Sequence, residues 1–243
     1  MWILAYFTLH FVIYVILRAQ FLFWNWSTLK TLSLSETLTA FIYGARFDLS
    51  SLAATTGLFI LGGIWIEKKW LKAAWFGLCF LLNAALIVLN FGDSELINFT
   101  ARRFTKSSFF LFGEANGNNL VTPYIGMTFL TILVISAYAV YSYRLIGLKP
   151  VNARNVKKAA LSLCVLVMGV LFSRGGVQVK PLTYVDAKIF ESSFANNLVL
   201  NSSFTLIKSL GRSSFDRLIA KAFFYYRKNA LARKNCGPNF LLK

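Results

Sequence analysis

Five runs of this 243-residue chain reach or approach the roughly 20 apolar residues that a helix needs to cross the hydrocarbon core of a bilayer. They cover residues 2–17, 49–66, 73–91, 124–143 and 159–172. Hydrocarbon offers no water to backbone N–H and C=O groups, so runs of this kind must satisfy their hydrogen bonds internally, as helices do. The expected fold class is an all-α membrane protein of five transmembrane helices followed by amphipathic interfacial helices. The fifth run is short. It is expected to borrow neighbours such as Val156 and Ser173, with Lys157 and Lys158 extending their ammonium groups to the headgroups. Composition agrees: 57% of the residues are hydrophobic, 16% are aromatic and the mean hydropathy is +0.59, which excludes an ordinary soluble domain.

The polar remainder is strongly basic. Lys and Arg number 26 against 9 Asp and Glu, a formal charge of +17. In a membrane chain such an excess sits beside anionic phospholipid headgroups. No motif interleaving aromatic and basic residues appears, so nucleic acid is not an expected partner. Lys68, Lys69 and Lys72 stand with only Glu67 between the second and third runs. Arg144, Lys149, Arg154, Lys157 and Lys158 stand with no acid between the fourth and fifth. Both connections are therefore expected on the cytoplasmic side, with the N-terminus inside and everything after Phe172 outside. Residues 18–48 and 92–123 are expected as longer outer loops of mixed charge. The tail is basic as well, but long segments translocate largely regardless of charge.

Cys79 and Cys164 fall in apolar runs and Cys236 in the tail, a distribution that suggests neither a disulfide framework nor a metal knuckle. Met1 opens directly onto apolar residues without a basic preamble, so no cleaved signal peptide is expected. From Ala187 onward Phe190, Phe194 and Leu198 recur at helical spacing, which predicts an amphipathic helix too polar to span and suited to the interface. A second short run carries Phe204, Ile207 and Leu210. A third helix is expected from Ser213, with Asp216 as its capping partner and Arg217, Lys221 and Lys228 on its basic face.

Few residues offer chemistry. His10 is the only histidine and has no nearby Cys, Asp or Glu with which to hold a metal, so a packed or interface-facing neutral imidazole is expected. Arg46-Phe47-Asp48 lies where the first outer loop meets the second run; its charges suit either a headgroup or a charge pair that ends a helix. Asp93 and Glu95 precede Arg102 and Arg103 and are expected in a solvated interface loop. Arg174-Gly175-Gly176 puts a cation just outside the fifth run, where glycines allow a sharp turn. Residues 113–123 gather Gly, Asn, Thr and Pro as the longest stretch of loop chemistry. No complete catalytic constellation is present. Gly62-Gly63 is the only hint of a broken helix, and without paired charges in a span it does not suggest a transporter.

The order of the five runs, Gly44-Ala45-Arg46-Phe47-Asp48-Leu49-Ser50, Arg174-Gly175-Gly176-Val177-Gln178, Pro181-Leu182, Asp186-Ala187 and Asn197-Leu198-Val199-Leu200-Asn201 together resemble the N-terminal part of the lipoteichoic acid synthase-like family. Its members are bacterial inner-membrane phosphoglycerol or phosphoethanolamine transferases with a sulfatase-type extracytoplasmic domain. The resemblance implies a five-helix transmembrane domain over residues 1–173, a juxtamembrane interfacial linker over 174–235, and at 236–243 the start of a catalytic domain, where Pro238-Asn239-Phe240-Leu241-Leu242 resembles its first strand. The metal-binding Glu, the nucleophilic Thr and the Asp and His ligands of that domain have no counterpart here, so no catalytic or metal residue is carried over. A divalent metal belongs to the missing domain. The chain is thus expected to be a truncated anchor and linker, inactive alone, with Arg46, Asp48, Arg102, Arg103 and Arg174 as candidate headgroup contacts and a catalytic domain or subunit as a candidate partner. The rival expectation is a stand-alone membrane accessory protein whose basic tail binds anionic lipid or a separate catalytic subunit.

Overall fold

Long apolar sequences that satisfy their own backbone should appear as uninterrupted helices, and the described residues are built that way. The computed structural model describes residues 2–109, 125–146, 155–178 and 180–211, and among these there is no strand. The elements are α1 (Trp2–Trp24), α2 (Trp26–Leu29), α3 (Leu34–Thr55), α4 (Gly57–Trp65), α5 (Lys69–Thr100), a 3-10 turn at Lys106–Ser108, α6 (Ile125–Ile146), α7 (Asn155–Arg174), a 3-10 turn at Tyr184–Ala187, α8 (Ser193–Val199) and α9 (Ser202–Gly211). Five helical stretches are long and apolar enough to cross a membrane: Ile3–Trp24, Leu34–Trp65, Lys69–Thr100, Ile125–Arg144 and Asn155–Arg174. The chain divides into two compact units, Met1–Leu206 and Ile207–Lys243; of the second, only residues 207–211 are described, and they are helical.

Two stretches run well beyond the lengths expected from the sequence. Leu34–Trp65 and Lys69–Thr100 each hold 32 residues, about 48 Å of helix at 1.5 Å per residue, against a hydrocarbon core of about 30 Å. The extra turns fall at one end of the bundle. There α1 continues to Trp24, and α3 starts at Leu34 behind a capping box in which the Glu36 N–H donates to Ser33 Oγ at 3.2 Å and the Ser33 N–H to Glu36 Oε2 at 2.8 Å. Most of residues 18–48 is therefore helix, where an outer loop was expected. Asp93 and Glu95 likewise lie inside α5, in place of a solvated loop: Asp93 is buried, and Glu95 Oε2 accepts from Trp24 Nε1 at 2.8 Å. The physical reason is cover. Polar residues in the protruding turns find partners in the later chain, so they do not have to end the helix to reach water. The loop chemistry at 113–123 lies outside the described residues, as do the third tail helix and the strand start at 236–243.

The cover comes from residues 180–206, which share one compact unit with the long helices and so do not form a separate surface linker beginning at 174. Leu182, Leu198 and Val199 are fully buried in a core with Phe21, Ala40, Phe47 and Ile97. The expected single amphipathic helix from Ala187 is broken: α8 begins only after Ser192, whose Oγ accepts from the Ala195 N–H at 3.3 Å. The Asn196 side chain explains the break. Its Oδ1 accepts from the N–H groups of Ile189 and Phe190, and its Nδ2 donates to Phe190 O, so the backbone there bonds to a side chain in place of a helical neighbour. Upstream, α7 ends in a Schellman pattern, with Gly176 N–H donating to Leu171 O and Gly175 N–H to Phe172 O, both at 2.9 Å. Gly175 has φ +81°, the left-handed geometry that favours glycine, and the following chain turns back so that Leu182 N–H reaches Arg174 O at 3.1 Å.

At the opposite end, Lys158 Nζ pairs with Glu67 Oε1 at 2.6 Å, and Trp65 Nε1 donates to Ser162 Oγ at 3.0 Å. The connection before α5 and the start of α7 therefore share one end of the bundle. Lys157 and Lys158 fall inside α7, which takes in Val156 and Ser173 as well; Lys158 spends its charge on Glu67 and is buried.

Candidate functional site

Arg18 sits in the fifth turn of a largely apolar helix, and a guanidinium there must find acceptors within the protein. It finds four. Nη2 donates to Asp48 Oδ1 at 2.6 Å and to Gly44 O at 2.9 Å, while Nη1 donates to Val199 O at 2.7 Å and also to Leu198 O. Both members of the Arg18–Asp48 pair are almost wholly inaccessible. Gly44 makes the approach possible, because a Cβ on it would lie 2.2 Å from Arg18 Cζ. Asp48 Oδ1 also accepts from Asn201 Nδ2 at 2.6 Å, and Asn201 Oδ1 accepts from Ser51 Oγ and from the Phe204 N–H, which makes Asn201 the cap of α9.

A second ion pair stands beside the first. Ala101, the one described non-glycine residue at positive φ (+56°), reverses the chain after α5 so that Arg103 returns to Asp93, with Nη1 to Oδ2 at 3.2 Å. Arg103 Nε donates to Asn197 O at 2.8 Å, and its guanidinium lies 3.7 Å above the centre of the Phe21 ring. Ser202 Oγ donates to the same Asp93 oxygen at 2.5 Å. One turn earlier on α5, Asn90 accepts from the Ser202 N–H and donates to Ser203 Oγ. Burial pulls the Arg103 guanidinium down to about 10, with Asp93 opposing the shift, so the group is charged at neutral pH. Two cations and two carboxylates thus close a neutral set around residues 197–203, and both carboxylates lie beside the positive N-terminal end of α9. Among the described residues Asp48 Oδ2, Asp93 Oδ1 and Arg18 Nε find no hydrogen-bond partner.

A third set of contacts fixes the exit from α7. Arg46 Nε donates to Gly175 O at 3.1 Å, Arg46 Nη2 to Gln178 Oε1 at 2.5 Å, and Ser50 Oγ to Ser173 O at 3.0 Å.

The residues singled out in the sequence separate into two groups. Asp48 and Arg103, which the sequence suggests as headgroup contacts, are buried with their charges committed to Arg18 and Asp93. Arg46 is half-buried on the turn after α7, and Arg102 and Arg174 are exposed. Arg46 and Asp48 do not pair with each other, because two positions along a helix point to different faces. His10 is packed: its Nδ1 lies 2.7 Å from Tyr6 O and its Nε2 2.9 Å from Tyr138 Oη. Sequence reading passed over Arg18, Asn90 and Ser202. For Arg18 a signal was present, since apolar sequence resumes after it up to Trp24, leaving a lone cation within a helix. Asn90 and Ser202 look like ordinary polar residues until the tail is seen against α5.

Among the described residues no group of His, Cys, Asp and Glu could hold a metal ion. The arrangement of the site is that of a latch on a chain segment: the Ser202 hydroxyl that donates to the Asp93 carboxylate is itself wholly buried. Comparison with family models, with curated proteins and with solved structures finds no match.

Proposed function

We propose that this chain is the membrane anchor and linker portion of a lipoteichoic acid synthase-like phosphotransferase, of the sulfatase and alkaline phosphatase superfamily, that moves phosphoglycerol or phosphoethanolamine from a phospholipid to an envelope glycan or lipid. One observation carries the reading: the motifs that suggest the family, far apart in sequence, meet in space. Arg46 holds Gly175 and Gln178, and Asp48 holds Asn201. An enzyme that draws on membrane headgroups has to keep its catalytic domain at a set height above the bilayer. A latch of two buried ion pairs on the segment leaving the last spanning helix does this, since it fixes where the chain leaves the surface. The orientation proposed with it places the Glu67–Lys158 end in the cytoplasm and the latch end outside, where Arg46, Arg102 and Arg174 meet anionic headgroups.

A chimera tests the proposal. The chain, joined to the soluble catalytic domain of a lipoteichoic acid synthase, is expected to transfer phosphoglycerol in proteoliposomes, and Asp48→Ala is expected to lower lipid turnover while leaving hydrolysis of a soluble ester unchanged. A folded, membrane-inserted chimera with no transfer, or equal turnover with and without the latch, would overturn the reading. Turnover by the unfused chain would overturn the assignment as an anchor.

A further inference from the structure

A groove opens between the second and fifth spanning stretches, on a face that α7 leaves largely uncovered: only 6% of its apolar window is buried. Ala53, Gly57 and Leu61, one turn apart on α3 and α4, form one wall; Val165, Gly169 and Arg174 on α7 form the other. The cavity between them holds about 230 Å³ and runs for roughly 12 Å along the helix axes. The two glycines are informative because the close packing of helices does not require them. A Cβ at Gly169 would meet nothing within 4 Å, and one at Gly57 would meet only Leu52 O at 3.9 Å. Gly62 is the contrast on the same stretch, since its Cβ would fall 2.6 Å from the Trp75 ring. Gly169 lies inside α7, where glycine costs about 1 kcal/mol relative to Ala, while Gly57 opens α4 behind Thr56, and at both positions the missing side chain leaves the groove open.

The ends of the groove differ. Its deep part is apolar, while Arg174 and Ser173 stand at its mouth, at the end of the bundle where the latch lies. Arg174 is exposed, and its turn is closed by Gln178, whose Nε2 donates to Arg174 O at 2.8 Å and whose O accepts from Arg174 Nη2 at 3.5 Å. Arg46 bonds that same turn through Gly175 O and Gln178 Oε1, which places a second guanidinium near the mouth. A vertical apolar slot capped by cations has the shape and charge distribution of one molecular class.

We propose that this groove binds an anionic phospholipid, one acyl chain lying over Gly57 and Gly169 and the phosphate held by Arg174. The lipid commits the occupant by charge complementarity at the mouth and by the direction of the slot, which follows the helix axes as an acyl chain does. The site deepens the anchor reading, and rests on it only for what the lipid is used for. Binding itself stands apart from phosphotransfer.

The test is retention of lipid by the full 243-residue chain in native mass spectrometry, titrated from micelles with phosphatidylglycerol and, separately, with phosphatidylcholine of the same acyl chains. The wild-type chain is expected to retain phosphatidylglycerol preferentially. Arg174→Gln should lower that retention roughly fivefold, toward the phosphatidylcholine level. Gly169→Leu, whose Cβ would meet no protein atom within 4 Å, puts a side chain into the slot and should lower retention of both lipids, on the order of tenfold. Gly77→Leu, at a glycine that also has open space around it but lies outside the groove, should change neither, and an unaltered melting curve shows that each variant is folded. Equal retention of the two lipids by the wild-type chain, or undiminished retention by folded Gly169→Leu, overturns the site. Because retention is read without transfer, a failure here leaves the chimera result standing, and the reverse also holds.

Discussion

Replacing Gly44 by Ala sets two effects of opposite sign against each other, and the structure says which is larger. Helix propensity alone would make the substitution stabilising by about 1 kcal/mol, because Gly44 lies inside α3 and Ala is the better helix former. The added methyl, however, would stand 2.2 Å from Arg18 Cζ, 2.3 Å from Nη1 and 2.7 Å from Nη2. Ordinary van der Waals contact needs well over 3 Å, so the guanidinium must move by about 1 Å or more. That displacement pulls it from Asp48, from Gly44 O and from the tail carbonyls of residues 198 and 199 together. Breaking a buried pair costs about 3–5 kcal/mol, which leaves a net loss of about 2–4 kcal/mol. In a chain of this size that corresponds to a fall in Tm of roughly 5–15 °C. Tryptophan fluorescence during thermal unfolding of the purified chain in mild detergent reads it, with Gly77→Ala as the control, since a Cβ there meets nothing and propensity acts alone. A Tm for Gly44→Ala equal to or above that of the unmodified chain would refute the claim that the latch stabilises the fold.

The second ion pair should behave alike: Asp93→Asn leaves Arg103 buried against a neutral amide and should cost about 3 kcal/mol, while the double change Asp93→Asn with Arg103→Met should recover part of it, read in the same melting experiment. Ala101→Gly should raise stability by up to about 1 kcal/mol, because φ +56° strains a residue with a Cβ; a lower melting temperature would contradict that. The hydrogen bond from Lys158, and then its charge, holds the Glu67 carboxyl below the usual carboxylate range, so folding favours the ionised form. The stabilisation is then complete above the ordinary carboxyl pKa and is lost as pH falls through the lowered one. Glu67→Gln should accordingly lower the melting temperature slightly at about pH 7, and by less as the pH falls through the carboxyl range, the pair being solvent-facing on the Glu67 side. Thiol labelling in detergent should reach exposed Cys164 and spare buried Cys79, measured by mass shift of single-cysteine variants.

Length and hydropathy were enough to make legible five helices that are long and apolar enough to cross a membrane, since an apolar run of about 20 residues has no other stable form in hydrocarbon. Their ends were less legible. A polar residue such as Asn90, Asp93 or Asn201 reads as the edge of a helix as long as water is its only visible partner, and each of these three has a partner more than a hundred residues away in sequence: Ser202 for Asn90 and Asp93, Ser203 for Asn90 as well, Asp48 for Asn201. Periodicity, too, suggested an interfacial helix from Ala187, because Phe190, Phe194 and Leu198 do recur at helical spacing. Asn196 breaks that helix through bonds that no hydrophobic pattern records. Arg46, Asp48 and Arg103 stood out in the sequence as charges close to apolar runs, but whether each would meet a headgroup or a buried partner depended on what packed against it. The sequence by itself therefore determined the helical class and the five described helices long and apolar enough to span, which follow from local hydrophobicity. Tertiary structure alone decided that the post-membrane segment is part of the bundle, because that outcome rests on pairing buried charges from α1, α3 and α5 with backbone and side chains that come together only on folding.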